Sequence, residues 1–146
     1  AMDKYRNYGV DMVVVDKTGV GQGVYDRIKE LGFNVRGVAF GEKSDDDMFG
    51  NMKAELHWRE RKWLLSGGRL IQNYGWNEFE LVKYKNKDGK IIIQPKEDLF
   101  REGIASPNVV DAAVLTQYLT EGAVKSARMA GTKPFYDATI EMYKHG

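Results

Sequence analysis

The sequence predicts an α/β fold, and three observations carry that expectation. An apolar, β-branched run from Val10 to Asp16 closes on an acid, a helical apolar pattern follows, and a second alternating run spans Asn34 to Phe40. Strand, helix and strand joined by short connections predict a right-handed parallel crossover.

The first run reads as a buried strand ending in the loop Thr18-Gly19-Val20-Gly21-Gln22-Gly23. From about Val20 to Leu31 the residues Val24, Ile28 and Leu31 recur at helical spacing, and Gly32 supplies a C-terminal stop. After the second strand, Asp45-Asp46-Asp47 lies between Gly41 and Gly50 and reads as an acidic loop. Asn51 to Leu65 is rich in strong helix formers around Leu56, Trp63 and Leu64. Phe79–Tyr84 and Ile91–Gln94 flank Asn86-Lys87-Asp88-Gly89, and an Asp-Gly pair between apolar runs predicts a β-hairpin. Pro95 to Asp98 opens a short helix that Gly103 ends. Ser106 and Pro107 then offer an N-cap and first-turn proline for a helix reaching about Leu119. Gly131 and Pro134 break the remainder before a weakly amphipathic Tyr136 to Tyr143. The expected organisation is one domain over 3–121 and a helical tail over 122–146.

A chain of 146 residues, 42% hydrophobic and 29% charged, has the size of one compact domain. Its apolar runs are too short for a membrane span or a signal peptide, so a cytoplasmic protein without membrane attachment is expected. Cysteine is absent, which excludes disulfides, thiolate chemistry and Cys-based zinc sites. Any metal is left to oxygen ligands or to His57 and His145. The net charge of +1, from 22 basic and 21 acidic residues, does not decide for or against nucleic acid.

Asp16 stands at the carboxyl end of a predicted strand, where catalytic groups gather in open α/β sheets; it could equally cap the following loop. Gly19, Gly21 and Gly23 miss the dinucleotide fingerprint, because Val24 stands where its third glycine would, and no P-loop lysine follows. Asn108 and Asp111 lie three apart at a helix start and so point toward one face, as half of a metal site or as a solvated first turn. Asp111 sits among Val109, Val110, Ala112, Ala113 and Val114, and a carboxylate in that company demands a metal, a base or solvent. Asp45-Asp46-Asp47 reads as a solvated loop, since consecutive residues diverge in direction. His57 has Arg61, not histidine, at i+4 and reads as a packing residue.

Val13-Val14-Val15-Asp16-Lys17-Thr18-Gly19-Val20-Gly21-Gln22-Gly23-Val24-Tyr25-Asp26, then Gly41, Asn51, Lys53, Ala54, Glu55 and Trp58, the segment Lys96-Glu97-Asp98, and Ser106-Pro107-Asn108-Val109-Val110-Asp111-Ala112 occur in that order. Together they resemble the nuclease domain of phage terminase large subunits, over roughly Tyr8 to Gln117. The resemblance implies an RNase H-like mixed sheet flanked by helices, here lacking its first strands and carrying an added hairpin. It implies a metal-dependent endonuclease that cuts concatemeric double-stranded DNA during genome packaging in the host cytoplasm. The terminase small subunit and portal are its implied partners. Asp16 and Asp111 would be its catalytic acids and would bind Mg2+ or Mn2+ together with Asn108, at a position where the family often has Asp or His. Lys96 would be an auxiliary cation.

Two oxygen-ligated ions about 3.5 to 4 Å apart suit such hydrolysis. The family's first acid lies on an initial strand for which nothing before Tyr8 provides residues, and Asp3 and Asp11 are poor substitutes. The resemblance therefore implies weak activity for the isolated chain and an open sheet edge favouring self-association. Lys83, Lys85, Lys87 and Lys90 around the hairpin, with Arg59, Arg61 and Lys62 on the Trp-containing helix, are candidate DNA contacts, or protect the hairpin edge. A non-catalytic remnant that binds DNA or a packaging partner is the competing reading, and a nucleotide-binding module a third.

Overall fold

The computed structural model describes residues 12–71 and 74–118. The chain divides into two units, one comprising Ala1–Gly37 with Leu119–Gly146 and the other Val38–Tyr118. The expected tail over 122–146, and with it His145, lies outside the described residues, as do Asp3 and Asp11.

In the first unit, β1 (Val13–Asp16) leads into α1 (Gly21–Glu30), and β2 (Val35–Val38), whose last residue begins the second unit, lies beside β1 in a two-stranded sheet. The Val13 amide donates to the Asn34 carbonyl at 2.9 Å. Gly21 allows α1 to start close against the strand end: a Cβ there would lie 1.8 Å from the Asp16 carbonyl oxygen. At the other end Gly32 takes φ +75°, its amide donating to Lys29 and that of Phe33 to Ile28, so a paired left-handed cap closes the helix as the glycine predicts.

The expected inward stripe Val24, Ile28, Leu31 is only partly realised. Val24 and Leu31 are 51% and 45% exposed, while Tyr25 and Ile28 are half-buried. Gly37 gives the Tyr25 ring room, a Cβ at Gly37 standing 3.1 Å from it, and this turns the helix's inner face toward Tyr25.

The second unit contains α2 (Met52–Leu65), a 3-10 segment (Tyr74–Leu81), the hairpin β3 (Tyr84–Lys87) and β4 (Lys90–Ile93), α3 (Lys96–Arg101), α4 (Asn108–Leu115) and a 3-10 turn (Thr116–Tyr118). Asn51 caps α2, its Oδ1 accepting from the Ala54 amide at 3.0 Å. The hairpin pairs Tyr84 with Ile93 and Lys87 with Lys90. Its two turn residues both have positive φ, 53° at Asp88 and 77° at Gly89, as a type I′ turn requires. Gly103, at φ +75°, ends α3 with the same paired cap as α1, through Phe100 and Leu99.

Three sequence expectations need correction here. Phe79 to Leu81 continues the 3-10 segment and does not open the first hairpin strand, which starts at Tyr84. The segment is held by tertiary contact, with Gly75 lying under Val109 so closely that a Cβ would meet it at 2.7 Å. Ser106 does not cap α4 either. Pro107 occupies the cap position without a side-chain bond, and the helix amides of Val109 and Val110 donate instead to Glu78 Oε2 at 2.7 and 3.3 Å. That helix also stops at Leu115, earlier than expected, and tightens into the 3-10 turn.

The core of this unit gathers Phe40, Phe49, Met52, Ala54, Leu56, Leu99, Val110, Val114 and Leu115, as α2 packs against α4 and β4. Trp58 fixes the hairpin to α2, meeting Phe49 at 6.1 Å and the edge of Tyr84 at 5.6 Å between ring centroids. The described residues form a mixed α/β arrangement of helices and small two-stranded sheets. No helix among them is long and apolar enough to cross a membrane.

Candidate functional site

Asp111 lies in the first turn of α4, between the fully buried Val110 and the core residue Val114, and its side chain is only 12% exposed. An isolated carboxylate there would be costly, and the structure supplies bases. Lys53, from the first turn of α2, sets its Nζ 2.8 Å from Asp111 Oδ1 and 3.1 Å from Oδ2. Lys96, opening α3, reaches Oδ2 at 3.2 Å. The Lys53 ammonium also stands over the Phe40 ring, 5.2 Å from its centroid.

The fourth member is His57, one helical turn after Lys53 on the same face of α2 and 7% exposed. Its Nδ1 lies 2.8 Å from the Lys53 carbonyl oxygen. A carbonyl only accepts, so Nδ1 carries the hydrogen and Nε2 presents a lone pair. Burial, and then the neighbouring Lys53 charge, hold the imidazole's pKa down at about 4 and keep it neutral at pH 7. Nε2 stands 3.8 Å from Asp111 Oδ1 and has no hydrogen-bond partner among the described residues. Lys53 lies close to Oδ1, but its well-directed bond goes to Oδ2.

Among the residues expected from the sequence, Lys96 and Asp111 are thus brought together. Asn108 is exposed while Asp111, three residues on, is buried, so the two do not share one environment as expected. The helix start tilts Asp111 toward α2 and leaves Asn108 outside. Asp16 belongs to the first unit, where its Oδ1 accepts the Thr18 amide at 3.0 Å, the loop-capping role that its position also allowed. No group of three or more His, Asp or Glu side chains suited to a metal ion occurs among the described residues. The Lys53 ammonium already fills the cation position at Asp111 Oδ1, so a metal ion there would have to displace it and take its remaining ligands from water or substrate.

The basic candidates are largely engaged. Lys85 pairs with Asp98 at 2.7 Å, Lys83 with Glu102 at 3.5 Å and Lys90 with Asp47 at 3.8 Å. Arg59 spans the buried Glu55 and the Gln117 carbonyl, and Arg61 lies over Trp58 at 5.2 Å. Lys62 and Lys87 are exposed, and no ion pair among the described residues involves them.

Asp45, Asp46 and Asp47 are exposed, in keeping with a solvated loop. Asp46 accepts the Met48 amide, and Glu55 accepts from Ser44 Oγ at 2.5 Å and the Asp45 amide at 3.2 Å, which ties the loop to α2.

The sequence reading missed Lys53 and His57 as a working pair. The available signal was a Lys and a His one turn apart on the helix face that also carries Ala54 and Leu56, where a long cation needs a buried acid. No protein-family model, curated protein or solved structure matches the chain.

Proposed function

We propose that this chain is part of a metal-dependent DNA endonuclease of the phage terminase large-subunit type, with an RNase H-like fold, and that Asp111 is one of its metal ligands. The observation that carries the reading is the meeting of Lys96 and Asp111 at 3.2 Å. The motif resemblance assigns Lys96 as an auxiliary cation and Asp111 as a metal-binding acid, and the apolar neighbours of Asp111 independently mark it as a carboxylate in need of a partner. Asp16, at the end of a strand, supports the same reading by its address.

Bound Mg2+ or Mn2+ would supply Lewis-acid charge at a scissile phosphate and a water of lowered pKa. Asp111 would hold that ion in its apolar surround, and Lys96, 45% exposed, would offer its ammonium to a phosphate oxygen. Lys62, Lys87 and Arg61 would meet the DNA backbone, a contact weakened by salt.

The test is nicking of supercoiled plasmid by the full chain with Mn2+. Cutting lost in Asp111→Asn and Asp16→Asn supports the proposal, and cutting indifferent to both substitutions would overturn it. The second reading, a remnant that binds DNA or a packaging partner without cutting, is favoured by the two ammonium groups that already balance Asp111. Salt-sensitive DNA binding without cleavage at any Mn2+ concentration would select it.

A further inference from the structure

Trp58, Arg61 and Lys62 follow one another at three- and four-residue spacing and so lie together on one face of α2. Arg61 and Lys62 are exposed. The hairpin adds Tyr84 to this strip. It is 63% exposed at the start of β3 and meets Trp58 at 5.6 Å between centroids, the two rings nearly perpendicular at 87°.

Two properties of the strip contribute little to folding. Tyr84 leaves most of its surface in water, yet it is held in place, because Trp58 steadies it and is itself anchored on Phe49. No ring among the described residues lies parallel on Tyr84, so a flat aromatic face is presented to solvent. The second property is charge. The Arg61 guanidinium lies over the Trp58 ring at 5.2 Å, and neither Arg61 nor Lys62 takes part in an ion pair among the described residues. Arg59, Lys83, Lys85 and Lys90, by contrast, all face carboxylates.

A fixed aromatic face beside unpaired cations matches the chemistry of an unpaired nucleic-acid strand. The ring stacks on any free base, the cations meet the phosphates, and neither needs a particular sequence. A closed duplex keeps its bases stacked inside and would engage the cations alone, as would an acidic peptide.

We propose that Tyr84 with the Trp58, Arg61 and Lys62 face of α2 forms a platform for single-stranded DNA, one unpaired base stacking on Tyr84 and the flanking phosphates meeting Arg61 and Lys62. The inference rests on the reading of this chain as DNA-binding and is independent of cleavage. It names an unpaired strand as what this side of the hairpin holds.

The test is fluorescence anisotropy of the full chain with an oligothymidylate of about ten nucleotides and with an abasic strand of the same length, which keeps the phosphates and lacks the bases. The oligothymidylate is expected to bind at least about fivefold tighter. Tyr84→Leu, which keeps apolar bulk without a ring face, is expected to weaken that binding about tenfold, and Tyr84→Phe to retain it. Arg61→Gln and Lys62→Gln are each expected to reduce the salt dependence of binding by a slope of about 0.7, whereas Tyr84→Leu leaves the slope unchanged.

Equal binding of the two strands overturns the inference, and this comparison uses only the unaltered chain. So does undiminished affinity in Tyr84→Leu, or absence of oligothymidylate binding. A polyglutamate peptide that binds as tightly as the oligothymidylate would show that the strip reads acidic charge alone, and defeats it as well. Plasmid nicking by a chain without the base preference defeats the platform and spares the nuclease proposal; the preference without nicking does the reverse.

Discussion

The Lys53 ammonium straddles the Asp111 carboxylate, 2.8 Å from one oxygen and 3.1 Å from the other, across 58 residues of sequence. The pair links the start of α2 to the start of α4, with Lys96 closing it from α3. Asp111→Ala would leave the mostly buried Lys53 charge without its partner. A loss of about 3 kcal/mol is expected, at the low end for a broken buried pair because Lys96 is half-exposed. Urea unfolding at pH 7 measures it, and a loss under about 1 kcal/mol would show that solvent already balances the lysines.

Glu78 and Ser106 offer a paired test of which residue caps α4. Glu78 accepts two helix amides, whereas Ser106 Oγ is buried without a partner among the described residues. Glu78→Ala is expected to cost about 1 to 2 kcal/mol and Ser106→Ala no more than about 0.5 kcal/mol. Denaturation midpoints of the two variants with equal slopes decide it, and the reverse order would restore the serine as the cap.

At Gly21 the first turn of α1 passes so close to the strand end that even a methyl group has no room. The obstacle is the Asp16 backbone carbonyl, which cannot swing aside as a side chain would. Gly21→Ala is expected to destabilise by about 3 kcal/mol or more, while Gly23→Ala, whose added carbon would meet nothing within 4 Å, is expected to be tolerated. Thermal unfolding of the two variants side by side is the measurement.

Two buried groups give the metal-free protein opposite pH dependences. The carboxyl of Glu60, 2% exposed and accepting from Gln117 at 2.6 Å, is raised by burial. Its folded state holds the proton more tightly than the unfolded chain, so this contribution is full below the unfolded value and is lost as pH rises through the folded one. Glu60→Gln should therefore be more stable than the unaltered protein at pH 7, by up to about 1 kcal/mol.

His57, lowered to about 4 from 6.5, acts the other way: stability is complete above about 6.5 and falls as pH drops toward 4, by about 3 kcal/mol at most. Unfolding free energies from pH 4 to 8 in the two proteins and in His57→Gln separate the contributions. An acid limb unchanged in His57→Gln would remove the histidine from this account.

Local chemistry made much of the second unit readable from sequence. Asp88-Gly89 dictated the turn because both positions need positive φ, and Asn51 and Gly103 marked helix ends by the bonds and dihedral they provide. Where a distant residue took over a local role, the reading failed. Ser106 had the right chemistry and place for a cap, but Glu78, 31 residues from Val109, holds the amides. Phe79 to Leu81 had strand composition, but contact with α4 bends it into a 3-10 segment. In the site, the demand of Asp111 for a partner followed from its apolar neighbours. That Lys53 would answer it depended on how α2 and α4 pack, which no local pattern encodes.

The short bridge between Phe49 and Ile91 has a consequence for the hairpin's behaviour in concentrated solution. Ile91 donates to the Met48 carbonyl and accepts from the Gly50 amide, at 2.9 and 2.8 Å, so the flank of β4 away from β3 is already occupied by its own chain. Among the described residues the unpaired flank is that of β3, where Lys85 and Lys87 place like charges in the way of an identical ribbon. The outer backbone edge of the hairpin's most apolar strand is thereby closed at Ile91 by Met48, Phe49 and Gly50, so a second chain would have to displace them to add a strand there.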